Sequence, residues 1–220
     1  AQLATVSWDR RDNPLGATRG TLLGGSVEHV RAFPGEDNPN TKLSDFLRVS
    51  GIVSAYLPLN DNGLTLAASM RAGRIIQMMS SSDTYPDRLF FLGGVDSVRG
   101  FLRDSVVPQV VAERIIQGPP QDPKRRTVNP VAIRGGDVFL NPRLELRIPM
   151  TATVHTTLFM DSGNVWVEPE AFEPWKLRYA SGSGLRIAPP IGPLAFDYGI
   201  NLARRSWEHF GAFQFSIVLF

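Results

Sequence analysis

The residues best suited to chemistry in this sequence are charged side chains that recur at every second position. Arg143, Glu145 and Arg147 are separated from one another by single leucines. Because successive side chains of a β-strand point to opposite faces, these three share one face. Three more charged residues follow the same alternation in later segments: Arg178, Arg186 and Asp197. Guanidinium and carboxylate groups in this arrangement form ion pairs and hydrogen bonds that bind and position other groups.

Motifs of known enzymes and metal sites are missing from the sequence. It contains no G-x-S-x-G, no H-E-x-x-H, no Walker A and no usable G-x-G-x-x-G motif. The three histidines lie in different segments without the spacing of metal ligands, and Asp9, Asp12 and Asp37 fit no calcium-binding loop. Cysteine is absent, which excludes disulfides and thiolate metal sites. We therefore expect no enzymatic activity, no metal site and no cofactor.

The composition narrows the class of protein further. The 23 Lys and Arg residues nearly balance 21 Asp and Glu residues, so nucleic acid is not an expected partner. No run of about 18 apolar residues predicts a transmembrane helix. The 20 Gly and 17 Pro residues favour turns and short strands. A mean hydropathy of −0.08 agrees with a transmembrane β-barrel, in which only alternate residues face lipid.

The elements that position these charges are strands, because a period of two recurs along the whole chain. About nine strands are predicted, at 2–9, 20–32, 46–57, 64–71, 138–148, 154–161, 177–188, 194–202 and 213–219. Short connections appear at 58–63, 149–153 and 189–193, and long ones at 33–44, 76–136, 163–176 and 203–210. Such alternation is typical of outer-membrane barrels.

Two architectures fit this pattern. A soluble antiparallel sandwich also alternates apolar and polar residues, but the charged face favours a barrel with a wet lumen. Aromatic residues near strand ends suit interfacial girdles: Trp8, Tyr56, Trp166, Trp175 and Tyr179. The sequence therefore predicts an all-β, antiparallel transmembrane barrel, with the sandwich as the alternative.

Five ordered sequence blocks resemble the BamA/TamA family of outer-membrane barrel assembly factors, also called bacterial surface antigens. FLGGVDSVRGF at 91–101 is similar to the family's VRGF loop, and FMDSG at 159–163 to its F-x-D-x-G strand. The blocks at 9–20, 184–198 and 213–220 resemble a periplasmic turn, a hairpin and the closing strand. The matches cover nearly the whole chain in family order.

The resemblance implies a barrel of about sixteen strands, whose long segment 76–136 folds back into the lumen. The loop arginine, Arg99, is then expected to contact Glu145, Phe159 and Asp161 on the strands. The complete set of residues implied for this lock between loop and barrel is Val98, Arg99, Gly100, Phe101, Glu145, Phe159, Asp161 and Gly163. The alternation independently places Glu145, Phe159 and Asp161 on one face. Gly93 and Gly94 would let the loop turn tightly.

The closing strand carries a second implied feature. Its lipid-facing residues also resemble the carboxy-terminal signal of outer-membrane barrels, at Phe213, Phe215, Ile217 and Phe220. In the family this strand pairs weakly with the first strand and leaves a lateral seam, whose exposed edge can pair with strands of a client.

The implied function is assembly, insertion or translocation of proteins at the outer membrane of a Gram-negative cell. A passive pore, or a translocator for a fused passenger domain, would use the same barrel and is the alternative function. The expected partners are outer-membrane lipids and unfolded barrel clients or a secreted passenger, together with POTRA modules and partner lipoproteins. A soluble binding module is the third hypothesis.

The chain, residues 1–220, is expected to be the carboxy-terminal portion of the barrel domain. Aligned by its motifs, the chain is expected to begin about halfway round the family barrel, with no POTRA module within residues 1–220. Nine antiparallel strands also do not close simply, because the first and last would run parallel. A piece of a longer protein is favoured over a miscounted strand or over several chains that close one barrel together.

Overall fold

The fold is an antiparallel sheet of nine strands that pair in chain order. A computed structural model describes residues 1–14, 16–32, 44–79, 82, 84–108, 111, 135–151, 153–187 and 194–217. The strands are β1 Gln2–Asp9, β2 Gly20–Ala32, β3 Ser44–Pro58, β4 Thr65–Gln77, β5 Val138–Pro149, β6 Val154–Trp166, β7 Arg178–Ile187, β8 Leu194–Asn201 and β9 Gly211–Ile217. Two short 3-10 helices, Pro86–Arg88 and Pro169–Ala171, lie in connections. No helix in this part of the chain is long and apolar enough to cross a membrane.

All nine predicted strands are present, which confirms the all-β antiparallel fold class. The largest differences from the predicted bounds are two strands that run further than the alternation predicts: β4 continues to Gln77 and β6 to Trp166. Their extra residues pair with long neighbours, since Gln77 faces Phe46 of β3 and Trp166 faces Val138 of β5. The connection between β4 and β5, called the long loop below, therefore covers 78–137.

The two faces of the sheet differ in chemistry. One face, called the outer face, exposes large apolar side chains, among them Val6, Leu23, Val53, Met70, Leu144, Leu158, Leu185 and Phe213. A continuous apolar surface of this kind is typical of a face that contacts lipid. The described strands form a single sheet, so the two packed sheets of a soluble sandwich are not the architecture.

The opposite face, called the inner face, is polar in its middle and apolar towards the long connections. There the long loop packs on it and forms a buried cluster. The strands contribute Val30, Phe46, Ile75, Phe139, Val165 and Ala180, and the loop contributes Phe90, Leu92, Val98, Phe101 and Val106. Burial of each large side chain is worth about 1.5–3 kcal/mol, so this cluster holds the loop against the sheet.

Two of the five predicted girdle residues are not on the exposed outer surface. Tyr56 lies on the inner face, with the Arg147 guanidinium 5.3 Å from its ring centroid. Trp166 is buried, because Phe172 of the following connection packs edge-on against it at 4.8 Å. Trp8, Trp175 and Tyr179 are exposed, as an interfacial position requires. Alternation and strand ends alone do not reveal which connections fold over a strand.

A titratable group at the base of the long loop gives a pH prediction. Burial raises the pKa of the Asp137 carboxyl to about 6, a hydrogen bond with Gln77 lowers it, and the charges of Glu168 and Glu170 raise it again. The folded carboxyl thus binds its proton more tightly than the unfolded one, whose pKa is 3.8. Its contribution to folding is therefore present at low pH and lost as pH rises from about 4 through 6.

Asp137→Asn is expected to remove this part of the pH dependence of folding stability. It should also raise the midpoint temperature of unfolding at pH 7 relative to the original protein. The midpoint is measured by heat-modifiable gel migration of the full-length protein between pH 4 and pH 7. Asp61→Asn, at an exposed turn position, is the control. Equal pH slopes for the original protein and Asp137→Asn would contradict the prediction.

Candidate functional site

The centre of the site is the guanidinium of Arg99, which is only 1% exposed and lies between the long loop and the sheet. Its Nε donates to Oδ2 of Asp161 at 2.7 Å, and its Nη2 donates to Oδ1 at 2.9 Å. The Arg99 backbone N–H also donates to Oδ2 of Asp161, at 3.1 Å. Asp161 itself is fully buried. This is a bidentate, charge-assisted contact, the strongest class of side-chain hydrogen bonding.

Two further side chains contact this guanidinium closely. Nη1 of Arg99 donates to Oε2 of Glu145 at 2.6 Å, and the guanidinium carbon lies 3.6 Å from the ring centroid of Phe159. We call Arg99, Glu145, Phe159 and Asp161 the arginine clamp. A lysine could not reproduce it, because a single ammonium cannot bind two carboxylates in this planar geometry and stack on the ring.

We call the inner face of the strands the wall. Strand register explains why the three clamp residues on the wall converge. Glu145 of β5 lies directly opposite Phe159 of β6, and Asp161 follows Phe159 by two residues. All three therefore point to the inner face, as the alternation predicted. Burial disfavours the charged form of Arg99, but its hydrogen bonds and charge interactions with Asp161 and Glu145 outweigh this and raise its pKa. Arg99 is thus a permanent cation.

Close backbone approach requires glycine at position 100. A Cβ there would lie 2.5 Å from Cβ of Ala180 and 2.9 Å from the carbonyl oxygen of Ile200. Strand β8 also has a glycine at this contact, because a Cβ on Gly199 would lie 2.6 Å from the Gly100 nitrogen. The loop backbone thus rests directly on β7 and β8, and Gly199 is a contact that the sequence patterns did not single out.

The loop segment that carries Arg99 is closed by its own hydrogen bonds. Gly93 and Gly94 have φ angles of 117° and 98°, which lie in the region that favours glycine. The Gly94 N–H donates to the Phe101 carbonyl at 3.1 Å, and the Gly93 N–H donates to Oγ of Ser97 at 2.7 Å. These bonds define the turn before the loop reaches the wall.

The other residues implied by the resemblance lie away from the guanidinium. Val98 and Phe101 belong to the apolar cluster, and Gly163 lies beneath it: a Cβ there would be 3.0 Å from Leu92. Phe213, Phe215 and Ile217 are exposed on the outer face of β9. Phe220 lies outside the described residues.

Several contacts around the site were not anticipated. Arg143 donates to Oδ1 of Asp161 at 3.3 Å, and Arg147 donates to Oε1 of Glu145 at 2.9 Å. Alternation had placed both arginines on the inner face, which is the signal that could have found them. Gln214 of β9 donates to the Phe101 carbonyl at 2.9 Å, a contact without a sequence signal.

A second attachment holds the long loop on the same inner face, but nearer to the β1 edge of the sheet. Nη1 of Arg88 donates to Oε1 of Glu28 on β2 at 2.6 Å. The guanidinium of Arg48 on β3 lies 4.3 Å from the ring centroid of Phe90. The described part of the loop thus contacts strands from β2 to β9 across the inner face. Among the described residues, no group of three metal-ligating side chains is present.

Comparison with known proteins identifies the family of the chain. The family model of the Omp85 superfamily domain matches residues 3–219. The chain belongs to the Omp85 superfamily. It is 25% identical over 245 residues to the outer membrane protein assembly factor BamA of Neisseria meningitidis serogroup B (strain ATCC BAA-335 / MC58), covering 97% of this chain and 28% of that protein.

A solved structure supports the same Omp85 fold. The crystal structure of BamA from Haemophilus ducreyi lacking POTRA domains 1–3 matches with a TM-score of 0.71 at 23% identity, over 96% of this chain and 40% of that one. The predicted family, the barrel fold class and the integral outer-membrane location are therefore confirmed. The chain spans less than a third of the length of the curated relative that it matches.

The clamp predicts an order of loop stabilities. Arg99→Ala removes the cation that binds Asp161 and Glu145, and each lost hydrogen bond between charged groups costs about 1.5–3 kcal/mol. Arg99→Lys keeps the positive charge without the bidentate geometry, so the stability of its docked loop should be intermediate. Chymotryptic cleavage after the buried Phe101 measures undocking and should increase from the original protein through Arg99→Lys to Arg99→Ala. Arg103→Ala, at a side chain that is 92% exposed, is the control, and equal cleavage of all four proteins would contradict the prediction.

Proposed function

We propose that this chain provides the carboxy-terminal wall of an outer-membrane protein assembly or translocation factor, with the arginine clamp holding the long loop in its working position. The observation that carries the proposal is the buried pairing of Arg99 with Asp161 and Glu145. Membership of the Omp85 superfamily and the assembly role named for the curated relative support it.

The proposed action uses the edge of the sheet rather than a catalytic group. β9 pairs with β8 and has no second neighbour among the described residues. Unpaired backbone groups in lipid cost several kcal/mol each, so an edge that opens there gains by accepting a strand from a client. The docked loop contacts β5 through β9 on the inner face, which lets it set the shape of the wall next to that edge.

The expected partners follow from the two faces. The apolar outer face suits outer-membrane lipids, and the β9 edge suits unfolded barrel clients or a secreted passenger. POTRA modules would belong to the remainder of a longer protein, and partner lipoproteins are expected as further partners of that protein. The described part of the long loop lies across the inner face from β2 to β9, and this occupancy favours an assembly factor over a passive open pore.

The test is a reconstituted insertion assay with the full-length protein in liposomes. Folding of an unfolded barrel client is followed by its heat-modifiable gel migration. Arg99→Ala should lower the initial rate by roughly tenfold or more, because a loop released from a buried pair is rarely docked. Arg103→Ala should keep the original rate, and the strand content of both variants should be unchanged.

One outcome would reduce the clamp to a purely structural contact. If Arg99→Ala exposes Phe101 to chymotrypsin but inserts clients at the original rate, the loop position has no part in assembly. A steady ion current through planar bilayers, without any client insertion by the original protein, would instead favour the passive pore.

A further inference from the structure

A second charged pair lies beside the arginine clamp, on strands that the clamp residues do not occupy. Asp197 of β8 is 1% exposed. Arg186 of β7 donates from Nη1 to Oδ1 of Asp197 at 2.6 Å and from Nη2 to Oδ2 at 2.9 Å. The carboxylate lies over Gly184, where any Cβ would overlap it. The absence of a side chain at position 184 is therefore what admits Asp197 to the wall.

This pair joins the clamp in a closed cycle of alternating charge. Oδ2 of Asp197 lies 3.5 Å from Nη1 of Arg99. Nη2 of Arg186 lies 3.6 Å from Oε2 of Glu145, the oxygen that also accepts from Arg99. Each cation thus has two anions beside it, and each anion has two cations. Charges arranged in this way attract at every contact of the cycle.

Each wall carboxylate also has an arginine on a strand. Asp161 pairs with Arg143 at 3.3 Å, and Glu145 pairs with Arg147 at 2.9 Å. Asp197 pairs with Arg186 at 2.6 Å. Three carboxylates therefore face three strand arginines, and the loop adds a fourth cation, Arg99. When the loop leaves, no buried carboxylate loses its last partner, so undocking avoids the large penalty of an unpaired buried charge.

We propose that Arg186 and Asp197 are positioning residues of the arginine clamp: Asp197 is a third carboxylate for Arg99, and Arg186 holds Asp197 and Glu145 in place for docking. The inference rests on the proposed role of the clamp. It makes the wall a receptor in which each carboxylate has an arginine partner with and without the loop, and it extends that receptor from β5 and β6 to β7 and β8.

The competing interpretation is that Arg186 and Asp197 only tie β7 to β8. A charge exchange separates the two. In the double variant Arg186→Asp/Asp197→Arg the pair itself is restored with reversed polarity. The arginine introduced at position 197, however, faces Arg99, and the aspartate introduced at position 186 faces Glu145. A strand tie would be rescued by the exchange, whereas the receptor for Arg99 would not.

The experiment is hydrogen exchange with mass spectrometry on the full-length protein in lipid nanodiscs. Peptides covering 97–108 report the loop, and peptides from β7 and β8 report the strands. Asp197→Asn, which is nearly isosteric, and the double variant are compared with the original protein. Lys176→Glu/Glu173→Lys exchanges an exposed ion pair in the connection before β7 and is the matched control. Heat-modifiable migration shows that each barrel is folded.

We expect loop peptides to exchange about tenfold faster in Asp197→Asn and in the double variant, because both changes remove the negative charge beside Arg99. The double variant should keep the original exchange in β7 and β8, and the control should match the original protein throughout. Original loop exchange in Asp197→Asn, or rescue of the loop by the double variant, would overturn the inference.

Arg99→Ala separates a failure of this inference from a failure of the clamp. Fast loop exchange in Arg99→Ala together with original exchange in Asp197→Asn would overturn the role of Asp197 alone. Original loop exchange in Arg99→Ala would overturn the clamp and, with it, this inference.

Discussion

A guanidinium that leaves water must find its counter-charges inside the protein, and the position of Arg99 places this demand on the surrounding strands. Asp161 and Glu145 meet it from adjacent strands, at 2.7 and 2.6 Å. Their side chains must then share the inner face, which fixes the register of β5 against β6. The loop must come close enough to deliver the arginine, which requires the bare backbone of Gly100 against β7 and β8. One buried charge thus constrains four strands and one loop.

The same period of two builds both working surfaces of the sheet. Outward positions are apolar and exposed, as in Leu144 and Leu158, while their neighbours Glu145 and Phe159 face the loop. A shift of β5 by one residue, for example, would move the carboxylate of Glu145 towards lipid and the side chain of Leu144 into the charged cluster. The requirements of the membrane and of the clamp therefore enforce the same register. The long loop adds an apolar cluster above the clamp and a second attachment at Glu28.

Much of this organisation could be predicted from the sequence, because it depends on local periodicity. Alternation located nine strands and put Glu145, Phe159 and Asp161 on one face, and the family resemblance supplied Arg99 as their partner. The misses share one cause: they depend on which other side chains pack over a strand residue in the folded protein. Tyr56 and Trp166 are covered by Arg147 and Phe172. The cycle through Arg186 and Asp197 likewise requires the three-dimensional arrangement of the long loop and three strands, β5, β7 and β8.

The coupling between Arg99 and Asp161 is the most direct measure of the central claim, that this buried pair fastens the loop to the wall. A double-mutant cycle with Arg99→Ala, Asp161→Ala and the double variant yields it, when the free energy of loop undocking is obtained from the hydrogen exchange of the loop amides. Residues in direct contact through charged hydrogen bonds show coupling of about 0.5–3 kcal/mol. The coupling free energy between Arg99 and Asp161 is expected to lie in the upper half of that range. Additive effects of the two substitutions would contradict it.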